Sequence, residues 1–139
     1  MQVPRSFRLL EELEKAEKEG LRDPSLTLGV ASRDDIDMTT WSGTIIGPQG
    51  TTFDGRFYSL QIICGNDYPN SPPTVRFQTG INLDCVNSAN GNVLPANLEV
   101  LRNWNSSKTM ENIMDGLKAA MLSPQNKTKP QPSEDKTYF

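Results

Sequence analysis

The chain carries two thiols, Cys64 and Cys85, and no histidine with which to activate either of them. That absence excludes Ser-His and Cys-His catalysis and removes imidazole metal sites. Cys85 is the more suggestive thiol. It lies in INLDCVNSANGNVLP (81–95), where Asn87, Asn90, Gly91 and Asn92 set it on or beside an exposed turn. A reactive cysteine there needs a neighbour that favours the thiolate. No lysine or arginine flanks Cys85, and the adjacent Asp84 opposes ionisation. Cys85 is therefore expected to be structural. Cys64 ends the apolar run RFYSLQIIC (56–64) and reads as a small buried hydrophobe.

Other chemistry-bearing patterns are weaker. Asp34, Asp35 and Asp37 form an acidic turn without the spacing, glycine or final glutamate of a calcium loop, so they read as solvated. GPQG (47–50) lacks the Lys-Ser/Thr that a phosphate loop requires and reads as a hairpin. No metal and no cofactor is expected.

The composition suits a single domain over 1–139, with 35% hydrophobic and 22% charged residues. Apolar runs are too short to span a membrane. The opening MQVPRSFRLLEELEKAEKEG has no apolar signal core and is acidic further in, which argues against secretion or organelle import; a cytoplasmic and nuclear location is expected. Two cysteines cannot build a disulfide framework, and in a reducing compartment the Asn-X-Ser/Thr matches at Asn105 and Asn126 are chance. A net charge of −3 argues against nucleic acid as a partner.

The elements that must position these residues follow from periodicity. After Pro4, with Ser6 as a possible cap, Phe7, Leu9, Leu10, Leu13 and Ala16 recur at helical spacing and Gly20 stops the helix. Leu10 and Leu13 are expected in the core. Strands are expected at 25–31, 40–47, 56–64 and 74–78, joined by short turn-rich loops as an antiparallel meander. An irregular stretch over about 79–107 is long enough to suggest function. TMENIMDGLKAAML (109–122) then predicts a helix capped by Thr109, with Met110, Ile113, Met114, Leu117 and Met121 on one face. From about residue 124 an extended or frayed tail is expected. The class is α+β, with helices on one face of the sheet.

At this point specific residues resemble a known family. YPNSPP followed by VRF resembles the ubiquitin-conjugating fold, in which Tyr-Pro-x-x-Pro-Pro leads into the fourth strand. VPRSFRLLEELEKAEKEG, WSGTIIGP, YSLQIICGNDYPNSPPTVRF, INLDCVN and KPQPSEDKTYF, in that order from Val3 to Phe139, look like one branch of it. That branch is the ubiquitin-conjugating enzyme variants, which partner an active conjugating enzyme to build lysine-63-linked chains.

The resemblance implies a ubiquitin-conjugating-enzyme-like fold lacking the last two helices of active enzymes, and an inactive site. Active members carry His-Pro-Asn and, about eight residues on, a cysteine after Gly-x-Ile/Val, for thioester exchange through a thiolate. Here Leu83, Asp84 and Cys85 take the tripeptide position, so Cys85 stands where the asparagine would be. Counting forward reaches Val93, and aligning on Gly91 with a one-residue insertion reaches Leu94 at the nucleophile's position; neither forms a thioester. Trp104 matches a family tryptophan, but Trp-Asn-Ser replaces the usual Trp-Ser-Pro. By the same resemblance Phe7 would contact the partner enzyme, and Thr27, Thr44 and Phe57 would bind acceptor ubiquitin. A divergent conjugating enzyme using Cys85 and a peptide-binding variant of the endosomal-sorting type are the alternatives.

Overall fold

The computed structural model describes residues 4–21, 23–32, 34, 36–133 and 136–138; Val3, Asp35 and Phe139 lie outside them. Helix α1 (Arg5–Lys18) leads into strands β1 (Leu26–Val30), β2 (Thr40–Ile46), β3 (Phe57–Ile63) and β4 (Thr74–Phe77). A 3-10 turn (Pro95–Asn97), the short α2 (Glu99–Arg102) and α3 (Met110–Leu122) complete the order. The strands form an antiparallel meander in sequence order. Each lies within the run expected of it, and the fold is α+β.

Alternation decides the inner face. Trp41 and Ile45 from β2, Tyr58, Leu60 and Ile62 from β3, and Val75 and Phe77 from β4 are all buried. Onto them α3 lays Met110, Ile113, Met114, Leu117 and Met121, so the methionine stripe is core. Glycine at 43 permits that approach, because a Cβ there would stand 2.8 Å from Met114 Cε. Thr109 caps α3 reciprocally with Asn112: its Oγ1 accepts from the Asn112 N–H at 3.2 Å, and Asn112 Oδ1 accepts from the Thr109 N–H at 2.9 Å.

Helix α1 departs from its expected packing in two respects. Ser6 makes no cap; Pro4 holds the N-cap position without a side-chain bond. Leu10 is 43% exposed rather than core, while Leu9 is fully buried. The inward stripe is Leu9, Glu12, Leu13 and Ala16, which puts Leu10 off the contact line by roughly one residue's rotation. Glu12 takes the central inward place because it has polar work there. Its Oε1 accepts from the Met110 N–H at 2.7 Å and its Oε2 from the Tyr68 hydroxyl at 2.5 Å.

Neither the long irregular stretch nor the tail is loose. Val86 pairs with Val93 and Arg76 with Asn92 as isolated bridges. The tail is strapped across the molecule instead of fraying: the Thr52 N–H donates to Lys127 O (2.9 Å), the Gly80 N–H to Lys136 O (2.7 Å) and the Tyr138 N–H to Gln78 O (2.8 Å). Asn126 is buried, its amide donating to Asp84 Oδ1, Ala120 O and Ser123 Oγ at 3.0 Å each, so its place in a sequon match is structural. No helix among the described residues is long and apolar enough to cross a membrane.

Asp23, before β1, accepts from the Ser25 N–H (2.9 Å), from Ser25 Oγ (2.7 Å) and from the Lys118 ammonium of α3. Lys118, helped by Ser25, holds the Asp23 carboxyl down at about 2 against an ordinary value of 3.8. A depressed folded-state pKa contributes stability above the unfolded value, lost as pH falls through the folded one. Lys118→Met should therefore lower the unfolding free energy read from urea titration at pH 6, by up to about 1 kcal/mol for a partly exposed pair. The difference from the unaltered protein should shrink between pH 4 and pH 2, and a gap independent of pH would contradict the assignment.

Candidate functional site

Three regions bear on function: the loop around Cys85, the start of α1 and the outer face of the sheet. In the first, Leu83 and Cys85 point inward and are buried, as is Val86. The Leu94 N–H donates to Cys85 O at 2.7 Å, which closes the loop on itself and leaves Leu94 half-buried. Burial, with the Asp84 carboxylate adding to it, pushes the Cys85 thiol up to about 12. Cys64 is likewise buried, its thiol 3.7 Å from Met110 Sδ and pushed up to about 12 by desolvation and then by Glu12. Both cysteines are free and neither reaches solvent.

The loop is held from several sides. Asn126 Oδ1 accepts from the Asp84 N–H at 3.2 Å, and Asn97 Nδ2 donates to Asp84 O at 3.3 Å. Gln131 pairs with the backbone of Asn82 in both directions, accepting at 2.8 Å and donating at 2.9 Å. Gly91 has φ +81°, and a Cβ on it would fall 2.5 Å from the Tyr138 ring, so glycine is required by both backbone and packing. Trp104 packs against Tyr68 with ring centroids 6.0 Å apart and donates to Pro69 O at 2.8 Å. It braces the YPNSPP turn. Among the described residues no cluster of His, Cys, Asp or Glu could hold a metal ion.

At the start of α1, Phe7 is 60% exposed, so its ring is not core. Leu10, one turn on, adds to the same exposed surface. Ile36, on the turn between β1 and β2, is 91% exposed. Sequence reading missed Ile36 by treating its acidic turn as merely solvated, although a lone isoleucine among aspartates was the available signal. Leu10 was missed because periodicity alone does not say which of two adjacent leucines faces in.

The outer face of the sheet unites the other three residues. Thr27 pairs with Thr44, and Thr44 with Ser59, across β1, β2 and β3. Phe57 pairs with Ile46 in the next outward row and is 65% exposed. Thr27 is exposed and Thr44 half-buried. Thr44 faces away from Trp41 and Ile45, as alternation requires. Ile46 and Ser59 belong to this face as well; their place depends on register, which no single strand reveals.

Comparison with known proteins gives a consistent picture. The family model described as ubiquitin-conjugating enzyme matches residues 8–138. The chain is 50% identical over 132 residues to ubiquitin-conjugating enzyme E2 variant 1B of Arabidopsis thaliana, covering 95% of this chain and 82% of that one. It is 48% identical over 136 residues to the ubiquitin-conjugating enzyme variant MMS2 of Saccharomyces cerevisiae, covering 98% of each. Among solved structures it resembles human ubiquitin-conjugating enzyme E2 G1, with 27% identity and a TM-score of 0.76 over 89% of this chain and all of that one.

The burial of both thiols carries a direct expectation. In the folded protein at pH 8, Cys64 and Cys85 should react with a disulfide reagent far more slowly than free cysteine, and both should titrate promptly in denaturant. Rapid native-state labelling of Cys85 would mean that its loop opens readily.

Proposed function

The chain belongs to the ubiquitin-conjugating enzyme family, among its conjugating enzyme variants, and from that premise we propose that it is a non-catalytic subunit of a ubiquitin-conjugating complex. It binds an active conjugating enzyme as a heterodimer through the surface around Phe7. It then holds an acceptor ubiquitin on the outer face of the sheet, across Thr27, Thr44 and Phe57, for synthesis of lysine-63-linked chains in cytoplasm and nucleus.

One observation carries the reading: the segment that would do thioester chemistry is closed, with Leu94 bonded to a buried Cys85, while apolar side chains stand exposed elsewhere. A divergent enzyme using Cys85 would have to expose and ionise a thiol that burial holds neutral. Phe7 suits an anchor, since a protruding ring brings large apolar area at small entropic cost. Phe57 and Ile46 offer an apolar row beside the hydroxyls of Thr27, Thr44 and Ser59, a mixed surface suited to a partner that must arrive and leave in each cycle.

The rate advantage of such a subunit is positional. Holding the acceptor amine against the partner's thioester makes a bimolecular attack effectively intramolecular, and effective molarities for well-oriented groups are very large. Linkage choice follows from which acceptor lysine the bound geometry presents. The two surfaces lie on different elements, α1 and the outward side of a sheet whose inner side the helices cover, so both can be occupied at once.

Chain synthesis with purified activating enzyme, an active conjugating enzyme and ubiquitin should depend on adding this protein, and should fail with ubiquitin lacking lysine 63. Independence from the protein would overturn the reading. Alone it should form no ubiquitin thioester, and Leu94→Cys should not create an efficient enzyme. Phe7→Ala should weaken partner binding by about 2 kcal/mol or more while leaving the thermal transition nearly unchanged. Thr44→Glu or Phe57→Asp should impair chain synthesis with the heterodimer intact, and ubiquitin chemical-shift changes seen with the unaltered protein should vanish.

A further inference from the structure

An arginine in the first turn of a helix is electrostatically misplaced, because the N-terminal end carries partial positive charge. Helix α1 begins with Arg5, and its first turn contains no acidic residue to offset it. Helix stability therefore does not account for Arg5; its contacts do. Nε donates to Gly65 O at 2.8 Å, Nη1 to Asp37 O at 2.7 Å, and Nη2 to Cys64 O at 2.9 Å and Thr39 Oγ1 at 3.5 Å. The planar guanidinium fork thus joins the helix start to the end of β3 and to the turn that carries Ile36.

That turn is under strain. Met38 sits at φ +52°, a left-handed conformation unfavourable for a non-glycine residue. It persists because its carbonyls are held in series. Asp37 O accepts from Arg5, Met38 O from Trp41 Nε1 at 2.7 Å, and Thr39 O from the Cys64 N–H at 2.8 Å. Two of these donors belong to the buried core, and Arg5 is the donor that comes from α1. The two segments it joins each carry an exposed apolar side chain, Phe7 in the first turn of α1 and Ile36 in the turn between β1 and β2.

We infer that Arg5 is a positioning residue for partner binding: it locks the start of α1 and the Ile36 turn together, so that Phe7 and Ile36 are presented to the conjugating enzyme in a fixed relative placement. The inference rests on the reading of Phe7 as the partner anchor. A surface ordered before the encounter does not have to be ordered at the expense of affinity.

The test uses Arg5→Met, which keeps the stem and removes the donors, and Arg5→Lys, whose single ammonium cannot span both segments. In the free full-length protein, amide exchange over residues 36–39 should accelerate by about tenfold or more in Arg5→Met, with β3 amides unchanged. Binding to the conjugating enzyme should weaken by about tenfold, and Arg5→Lys should fall between. Because Arg5 acts through the turn, the effect should shrink markedly in an Ile36→Ala background. Unchanged exchange over 36–39, unchanged affinity, or full additivity with Ile36→Ala would each overturn the inference while leaving the heterodimer reading in place. Failure of the unaltered protein to bind any conjugating enzyme would overturn both. Should Arg5→Met not fold, Arg5→Lys alone decides on the same readouts.

Discussion

The carboxylate of Glu12 is the joint on which the architecture turns. A charged group on the inward side of α1 costs desolvation, and burial raises its pKa despite the bonds that oppose the rise. In return it meets three elements at once. It accepts from the first-turn N–H of Met110, supplying the negative end that a helix N-terminus favours. It accepts from the hydroxyl of Tyr68, whose peptide bond to Pro69 is cis, and Arg8 stands 3.8 Å away on the next turn of α1. Breaking one partner of such a buried set leaves the others unsatisfied, so the cost exceeds that of a single bond. Through Glu12, α1 is registered against α3, and both against the YPNSPP turn.

With that registry set, the inner face of the sheet is buried while much of the outer face is left exposed. Leu9 of α1 and the apolar stripe of α3 are buried with the inner residues of the sheet, while on the outer side Thr27, Ser59 and Phe57 stay exposed and Thr44 is half-buried. The same registry presents the start of α1 at the margin, where Phe7 and Leu10 point out because Leu9 and Glu12 point in. Exposed apolar side chains at these places are therefore consequences of how the core was filled. The proposed binding surfaces are made of what packing left exposed.

The tail gives the chain its remaining rigidity. It runs from α3 across the 51–56 turn and along the segment after β4, and buries Tyr138 against Gly91. Its bonds converge on Asn82, Asp84 and Gly80, the stretch that leads into the Cys85 loop. An active thioester site must admit a ubiquitin tail and a nucleophile. Here the equivalent loop is fastened by side-chain amides and filled with aliphatic residues, a construction suited to stability.

Much of this was legible in the residues alone. Alternation and turn chemistry located four strands, helical spacing located both long helices, and Thr109 announced its own cap, because these are local preferences that tertiary packing did not overturn. The missing histidine and the residues around Cys85 already argued against thiol chemistry. Sequence could not say that Leu10 faces out and Glu12 in, since an apolar period allows two neighbouring stripes and only the partner helix chooses between them. Nor could it say that the tail is strapped down, because its prolines and polar residues find their partners at Thr52, Asn82 and Gln78, far away in the chain. The outer-face row depended on strand register, and the joining of the α1 start to the Ile36 turn on one arginine reaching three carbonyls some thirty to sixty residues away. Local chemistry named the elements and argued against a nucleophile; long-range contacts chose which side chains were left exposed.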